Sequence, residues 1–299
     1  MIDLHCHSTA SDGTLTPSQL VALAQKIGLK ALALTDHDTL DGLEEFRQAG
    51  KESSLLCVPG IELAAQSATQ AHWGFHIVGL FLQETPSQEM AALLQGCLRA
   101  RAQRNETILE RLHGLDIPLT MDEVEEAAGG EVVGRPHFAL ALQRRGVVPS
   151  VQAAFERFLA TGKPAYASRK LPTPEEAISA IHSMGGAAVW AHPFTKGNHS
   201  VRQIHQMALN LKAMGIDGME AHYAMHTPKQ VENALEITRE VGLFPSGGSD
   251  FHGEAFRNVH LGTGTGNLQV PDRYLEPLRL CARRRTDLAQ CLCHMATDS

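Results

Sequence analysis

The 299 residues carry 26 Lys and Arg against 33 Asp and Glu, a formal charge of −7, with 43% hydrophobic and 20% charged residues. That balance suits a chain able to bury a real core, as one large domain or a domain carrying an insertion. It offers no bulk electrostatic case for a long nucleic-acid duplex or an anionic membrane, although cations bound in a cleft can still favour a small phosphorylated substrate. Histidine stands out with 16 residues. The chain begins without a basic start leading into an apolar stretch, and no apolar segment approaches membrane-spanning length. The six cysteines, at 6, 57, 97, 281, 291 and 293, lack the spacing of a disulfide framework. A cytoplasmic protein with reduced thiols is expected. Cys291-Leu-Cys293-His294, near the end of the sequence, reads as a spare thiol pair rather than a metal clip.

In chain order, Ile2-Asp3-Leu4 opens a strand, and Thr16-Pro17 opens a helix that ends near Gly28. Ala31 to Leu34 is an apolar run ending in Thr35-Asp36-His37-Asp38. A helix over 41–50 precedes Leu55 to Val58, which ends at Pro59-Gly60-Ile61-Glu62, and Phe75 to Leu82 forms another strand. Residues 86–113 are strongly helical, with Arg104, Glu106, Glu110 and Arg111 as exposed charge, and shorter helical pieces follow to about 170. The strand–helix pattern then resumes: helix 174–184, strand Ala187 to Trp190, helix 200–214, strand Gly218 to Ala221, helix 228–241 and strand Phe244 to Ser246. Such alternation predicts a mostly parallel sheet with helices outside, and about seven units predict a closed or nearly closed α/β barrel. Residues 1–85 and 171–285 would form the barrel, 86–170 an α-helical insertion capping its mouth, and 286–299 a tail. No G-x-G-x-x-G follows a strand, and Gly262-Thr-Gly264-Thr-Gly266 reads as a loop.

The candidate chemistry lies where strands end. His5 and His7 sit two apart, so in a strand both rings share one face, and Asp12 follows in a turn that can fold back over them. His37 follows the second strand, Glu62 the third, His76 lies in the fourth, His192 follows the fifth, and Asp250 with His252 follows the last. In a parallel barrel the C-terminal strand ends share one mouth, so these side chains can converge. Six imidazoles and three carboxylates without thiolates suit Mn²⁺, Fe²⁺ or Zn²⁺, with Mn²⁺ favoured, and nine ligands suit two or three ions. Closely spaced divalent cations fit hydrolysis of a phosphate ester by a metal-bound hydroxide, with a second cation on the leaving oxygen. His192, Asp250 and His252 are read as catalytic as well as ligating. Asp36 and Asp38 read as groups that orient ligands or cap turns. His222 and His226 precede a Thr227-Pro228 helix start and are not taken as ligands; with Glu220 they are possible substrate contacts. His72, His199, His205 and His260 fall into no pattern.

These residues resemble a known family. His5-Cys-His7-Ser with Ser-Asp12-Gly, Thr35-Asp-His37-Asp, Pro-Gly-Ile-Glu62, His76-Ile-Val-Gly-Leu-Phe, Ala-His192-Pro and Gly-Ser-Asp250-Phe-His252 are similar to the PHP (polymerase and histidinol phosphatase) motifs in order and spacing. The resemblance covers residues 1–82 and 174–265. It implies a distorted seven-stranded (β/α) barrel and a trinuclear site built from the nine residues. The insertion stands where it does in the branch of 3′,5′-nucleotide bisphosphate phosphatases and the 5′-to-3′ exonuclease ribonuclease AM. Gly134-Arg135-Pro136-His137-Phe138 and Gly162-Lys163-Pro164-Ala165-Tyr166 resemble segments of that branch. Arg135, His137 and Lys163 are therefore expected to hold a second phosphate, Arg135 as a bidentate fork and Lys163 as a point charge. The expected substrate is a nucleoside 3′,5′-bisphosphate or a short 5′-phosphorylated single strand, with no stable duplex binding, no membrane, and protein partners unassigned. The alternatives are a histidinol-phosphate-type small-molecule phosphatase and a non-catalytic, metal-stabilised PHP module.

Overall fold

Local capping chemistry starts most of the barrel helices. Thr16, Thr173 and Thr227 each stand before a proline, and each side chain accepts from the backbone three residues on while the residue there caps back. Ser200 does the same without proline. A computed structural model describes residues 1–67, 73–128, 132–195, 197, 199–253 and 258–297, with side chains described as far as 287. Its strands are β1 (Ile2–Asp3), β2 (Ala31–Leu34), β3 (Leu56–Gln66), β4 (Gly74–Leu80), β5 (Ala187–Trp190), β6 (Gly218–Tyr223) and β7 (Phe244–Gly248). Helices α1 (Pro17–Lys26) and α2 (Leu43–Lys51) link the first strands. The insertion holds α3 (Gln88–His113), α4 (Met121–Ala128), α5 (Arg135–Arg144) and α6 (Val151–Ala154), the last running into a π-helical turn at Phe155–Leu159. Then come α7 (Pro174–Ser183), α8 (Val201–Ala213), α9 (Pro228–Val241) and α10 (Leu275–Thr297).

The seven strands form one sheet in sequence order. Its edges meet where Leu4 N donates to Gly247 O at 3.1 Å, Asp250 N to His5 O at 2.8 Å and His7 N to Phe251 O at 2.9 Å. The result is a distorted, nearly closed barrel. Pairing is parallel except at β4, which runs antiparallel to both β3 and β5. This corrects two expectations. β3 continues past Pro59 because, once its parallel pairing with β2 ends there, Gly60–Gln66 zips onto β4 as a hairpin, so Glu62 lies inside a strand rather than after one. The reversed β4 presents its N-terminal end at the mouth, which is why His76 reaches the other ligands from the third residue of its strand.

Small and branched side chains such as Ile2, Ala33, Val78 and Val189 fill the barrel interior, and Leu278 of α10 closes the end away from the mouth. The insertion has its own apolar cluster, including Ile108, Phe138, Leu142 and Leu159. α10 runs unbroken across residue 286, where the sequence analysis begins a tail. The side chains of Cys291, Cys293 and His294, like residue His72, lie outside those described; Cys6, Cys57, Cys97 and Cys281 are free thiols. No described helix is long and apolar enough to cross a membrane.

Buried Asp217 ties α7, β5 and α10 together. Its Oδ2 accepts from Ala188 N at 2.8 Å and lies 3.0 Å from His182 Nε2, while Oδ1 accepts from Arg285 at 2.6 Å. Burial raises its pKa, but the bonds from His182, Arg285 and Ala188 outweigh this and hold the carboxyl below its usual value. A depressed folded pKa means the stabilisation is present above about pH 4 and lost as acid carries the pH below it. Asp217→Ala is expected to cost about 2–3 kcal/mol at neutral pH. Urea unfolding checks this: the gap should close toward pH 3, and identical midpoints at pH 7 would remove the role.

Candidate metal centre

Glu62 sits fully buried in the barrel mouth and faces five imidazoles. Its Oε2 lies 3.3 Å from both His5 Nε2 and His7 Nε2 and 3.0 Å from His37 Nδ1. Its Oε1 lies 2.6 Å from His76 Nδ1 and 3.1 Å from His192 Nε2. Asp250 Oδ1 is 3.1 Å from His7 Nε2 and 3.5 Å from His5 Nε2, and Asp12 Oδ1 is 3.3 Å from His252 Nε2. The His7 and His252 rings stack at 4.1 Å. All nine residues picked from strand ends thus meet within one cluster.

The donors fit divalent cations. His5 Nε2, both His7 ring nitrogens and Glu62 Oε2 are buried without a hydrogen-bond partner, an arrangement that costs free energy unless an ion completes it. Three groups bring their ligand atoms within 4.8 Å of one another: His7, Asp12, His37 and His252; His5, His7, Glu62 and Asp250; and His37, Glu62 and His76. Without a cation the cluster balances itself. Burial lowers the His7 pKa, but the facing carboxylates of Asp250 and Glu62 outweigh it and raise the ring to about 10. Burial raises Glu62 and Asp250, yet the facing histidines hold both carboxyls well below the usual range. Cation binding must therefore release protons. The backbone is strained here too, with His192 at φ 33°, Asp250 at 54° and Asp38 at 55°.

Neighbouring groups hold the ligands in place. Asp36 accepts from Ser8 N at 2.7 Å and from the Ser8 and Ser11 hydroxyls at 2.6 Å, which pins the turn carrying Asp12. Gly13 permits that turn, since a Cβ there would lie 2.3 Å from His7 O. Asp38 accepts from Ala64 N at 3.3 Å and from Arg169 at 2.6 Å, and it also pairs with Arg101. Burial raises its carboxyl, but Arg169 and Arg101 outweigh this and bring it to about 2.

Above the cluster opens a cleft of about 720 Å³, whose insertion-side wall includes Arg101, Arg104, Arg135, Arg169, Phe155 and Tyr166. Arg104 forms no ion pair among the described residues; burial and the neighbouring Arg101, Arg169 and Arg135 press its pKa down to about 9. Its Nε and Arg169 Nη1 are buried without a partner. Arg135 lies over the Tyr166 ring at 5.3 Å. Of these four guanidiniums, Arg101 and Arg169 pair with Asp38, and Arg104 and Arg135 contact no carboxylate among the described residues, which leaves the wall strongly electropositive.

The model of the PHP domain family matches residues 3–159. The chain belongs to the PHP family. It is a metal-dependent phosphoesterase fold member with close relatives along most of its length. A 5′-3′ exoribonuclease of Haemophilus influenzae is 38% identical over 250 residues, covering 84% of this chain and 89% of that protein. A 3′,5′-nucleoside bisphosphate phosphatase of Chromobacterium violaceum is 33% identical over 267 residues, covering 86% and 90%. A solved Bifidobacterium adolescentis structure, inferred to be a metal-dependent phosphoesterase, superposes with a TM-score of 0.82 at 31% identity, covering 94% and 96%.

Outside the PHP motifs, placement departs from expectation. Arg135 lines the cleft, but His137 does not: it is buried in the insertion, where its Nδ1 accepts from Gly134 N at 3.0 Å and caps its own helix. Lys163 is exposed and away from the cleft wall, because the turn after the π-helical segment points it to solvent. Arg104 is buried rather than exposed. Arg101, Arg104 and Arg169 are missed by motif reading; the i, i+3 spacing of Arg101 and Arg104 on one helix face is the trace they leave. His226 is buried with Nδ1 3.0 Å from Ala221 O, and His222 Nε2 lies 3.4 Å from the Tyr274 hydroxyl; neither belongs to the three ligand groups. Glu220 is buried behind the ligands and does not line the cleft.

Proposed function

We propose that this PHP enzyme hydrolyses phosphate esters of nucleotides that carry a second phosphate, a nucleoside 3′,5′-bisphosphate or the 5′-phosphorylated end of a short single strand. The observation that carries the reading is the arginine wall standing across the cleft from the metal centre: one phosphate can be cleaved while another is held. The relatives named as an exoribonuclease and as a nucleoside bisphosphate phosphatase act on molecules of this kind, which supports it.

His5, His7, Asp12, His37, Glu62, His76, His192, Asp250 and His252 hold two or three divalent cations, with Mn²⁺ favoured by an all-imidazole and carboxylate donor set. Such cations polarise phosphoryl oxygens and acidify water. The chain's own residues do the rest. Arg104 and Arg169 line the cleft, and as charge-assisted donors their guanidiniums orient the retained phosphate. Arg101 joins them from the face of α3 that carries Arg104. Arg135, braced on Tyr166, extends the wall toward the cleft edge. His192 and His252, with Asp250, stand at the cleft floor where protons are exchanged with the reacting ester. A histidinol-phosphate-type substrate has no second phosphate to occupy the wall, and a non-catalytic module has no use for nine competent donors. The free described thiols fit a reducing compartment, the cytoplasm.

The test is release of phosphate or nucleotide from a nucleoside 3′,5′-bisphosphate and from a 5′-phosphorylated oligonucleotide, after chelation and with Mn²⁺ returned. Activity should vanish with the chelator and return with the metal. Release from neither substrate, with Mn²⁺ present, removes the proposed substrate class.

A further inference from the structure

Six of the seven strands or their exits supply the nine ligands; β6 supplies none. Yet β6 sends two buried polar side chains to the cluster. Glu220 Oε1 lies 3.2 Å from His5 Nδ1, and its Oε2 accepts from His192 N at 2.7 Å. The Tyr223 hydroxyl donates to Asp250 Oδ2 at 2.9 Å. In a regular strand residues 220 and 223 would point to opposite faces. Here Glu220 pairs with Ser246 and His222 with Gly247, a bulge that inserts one extra residue and turns both side chains inward.

A carboxylate only accepts hydrogen bonds, so the proton on His5 must sit on Nδ1, facing Glu220. That leaves the Nε2 lone pair directed at Glu62 and Asp250, where His5 Nε2 has no hydrogen-bond partner. The second oxygen of Glu220 holds the amide of His192, whose φ of 33° is unfavourable for a residue with a side chain. Glu220 is buried and does not line the cleft, so it stands out of reach of substrate.

We propose that Glu220 is a positioning residue for the metal centre: one oxygen sets the tautomer of His5, and the other fixes the backbone from which His192 projects. The inference rests on the reading above that this centre binds divalent cations. Glu220→Gln keeps the side-chain volume but leaves one oxygen for two donors. Mn²⁺ affinity, measured without substrate by chelator competition, should fall about 10- to 100-fold. At saturating Mn²⁺, kcat on a nucleoside 3′,5′-bisphosphate should return to within about threefold of wild type, with KM little changed, because a group that acts through the metal leaves substrate binding alone. Glu220→Asp, charged but too short for both donors, is measured beside it and should fall between the two.

Wild-type Mn²⁺ affinity in both variants overturns the proposal. So does a raised KM with unchanged metal affinity, which would make Glu220 a substrate contact. A wild-type protein that binds no Mn²⁺ overturns the metal reading as well, whereas failure of the nucleotide substrates alone leaves the affinity comparison standing.

Discussion

Glu62→Gln is expected to lower kcat by at least about a thousandfold and to strip the centre of tightly held divalent cations. Its two oxygens face five rings: His5, His7 and His37 face one oxygen, His76 and His192 the other. Burial pushes its pKa up, but His76, His37 and His5 outweigh that and keep it ionised, so the amide removes a full charge at neutral pH. The five rings would then surround a neutral group able to donate from one side, and the ion-completing pattern would be lost. Metal content after dialysis, read with phosphate release, checks this. Wild-type metal content together with wild-type kcat would sink the central role of Glu62.

Arg104→Met should move binding and stability in opposite directions. Arg104 is buried, lacks a carboxylate partner, and gives one bond of 3.3 Å to Val133 O, an oxygen that also accepts from Asn105. Replacing an uncompensated buried charge by an apolar side chain of similar length is expected to stabilise the fold by about 1 kcal/mol. The same change removes a charge-assisted donor to the retained phosphate, worth about 1.5–3 kcal/mol, so KM for a nucleoside 3′,5′-bisphosphate should rise about 10- to 100-fold. A substrate with a single phosphate should respond far less. Denaturant midpoints and steady-state kinetics on both substrates separate the two effects. An unchanged KM for the bisphosphate would take Arg104 out of the phosphate site, and a drop in stability would show that the charge is compensated within the folded protein.

Clustered positive charge and fold stability pull against each other along this wall. Arg101 and Arg169 are compensated by Asp38, next to His37, so the loop carrying a metal ligand also anchors the insertion. This ties the distance between the arginine wall and the ligand cluster to the barrel rather than to the flexible reach of long side chains.

The nine cluster residues were legible in the sequence because each is written locally. A strand end followed by His-x-His, Asp-His-Asp or Ser-Asp-Phe-His needs only the chain's own periodicity to be seen. The barrel was legible for the same reason, since Thr-Pro caps and apolar runs mark each unit. Three matters depended on tertiary structure. The reversal of β4 arises from hairpin pairing with β3, which apolar content alone does not encode. The bulge that turns Glu220 and Tyr223 inward is a mismatch between two strands, invisible in either one. The arginine wall of the cleft is made by Arg101 and Arg104 on α3 and by Arg169 and Arg135, far apart in the chain, while the motif residues His137 and Lys163 face elsewhere. Helical spacing says which side chains share a face, but what that face meets is decided by packing. The sequence by itself therefore determined the imidazole and carboxylate donor set, and the fold of the insertion over the mouth decided which guanidiniums line the cleft.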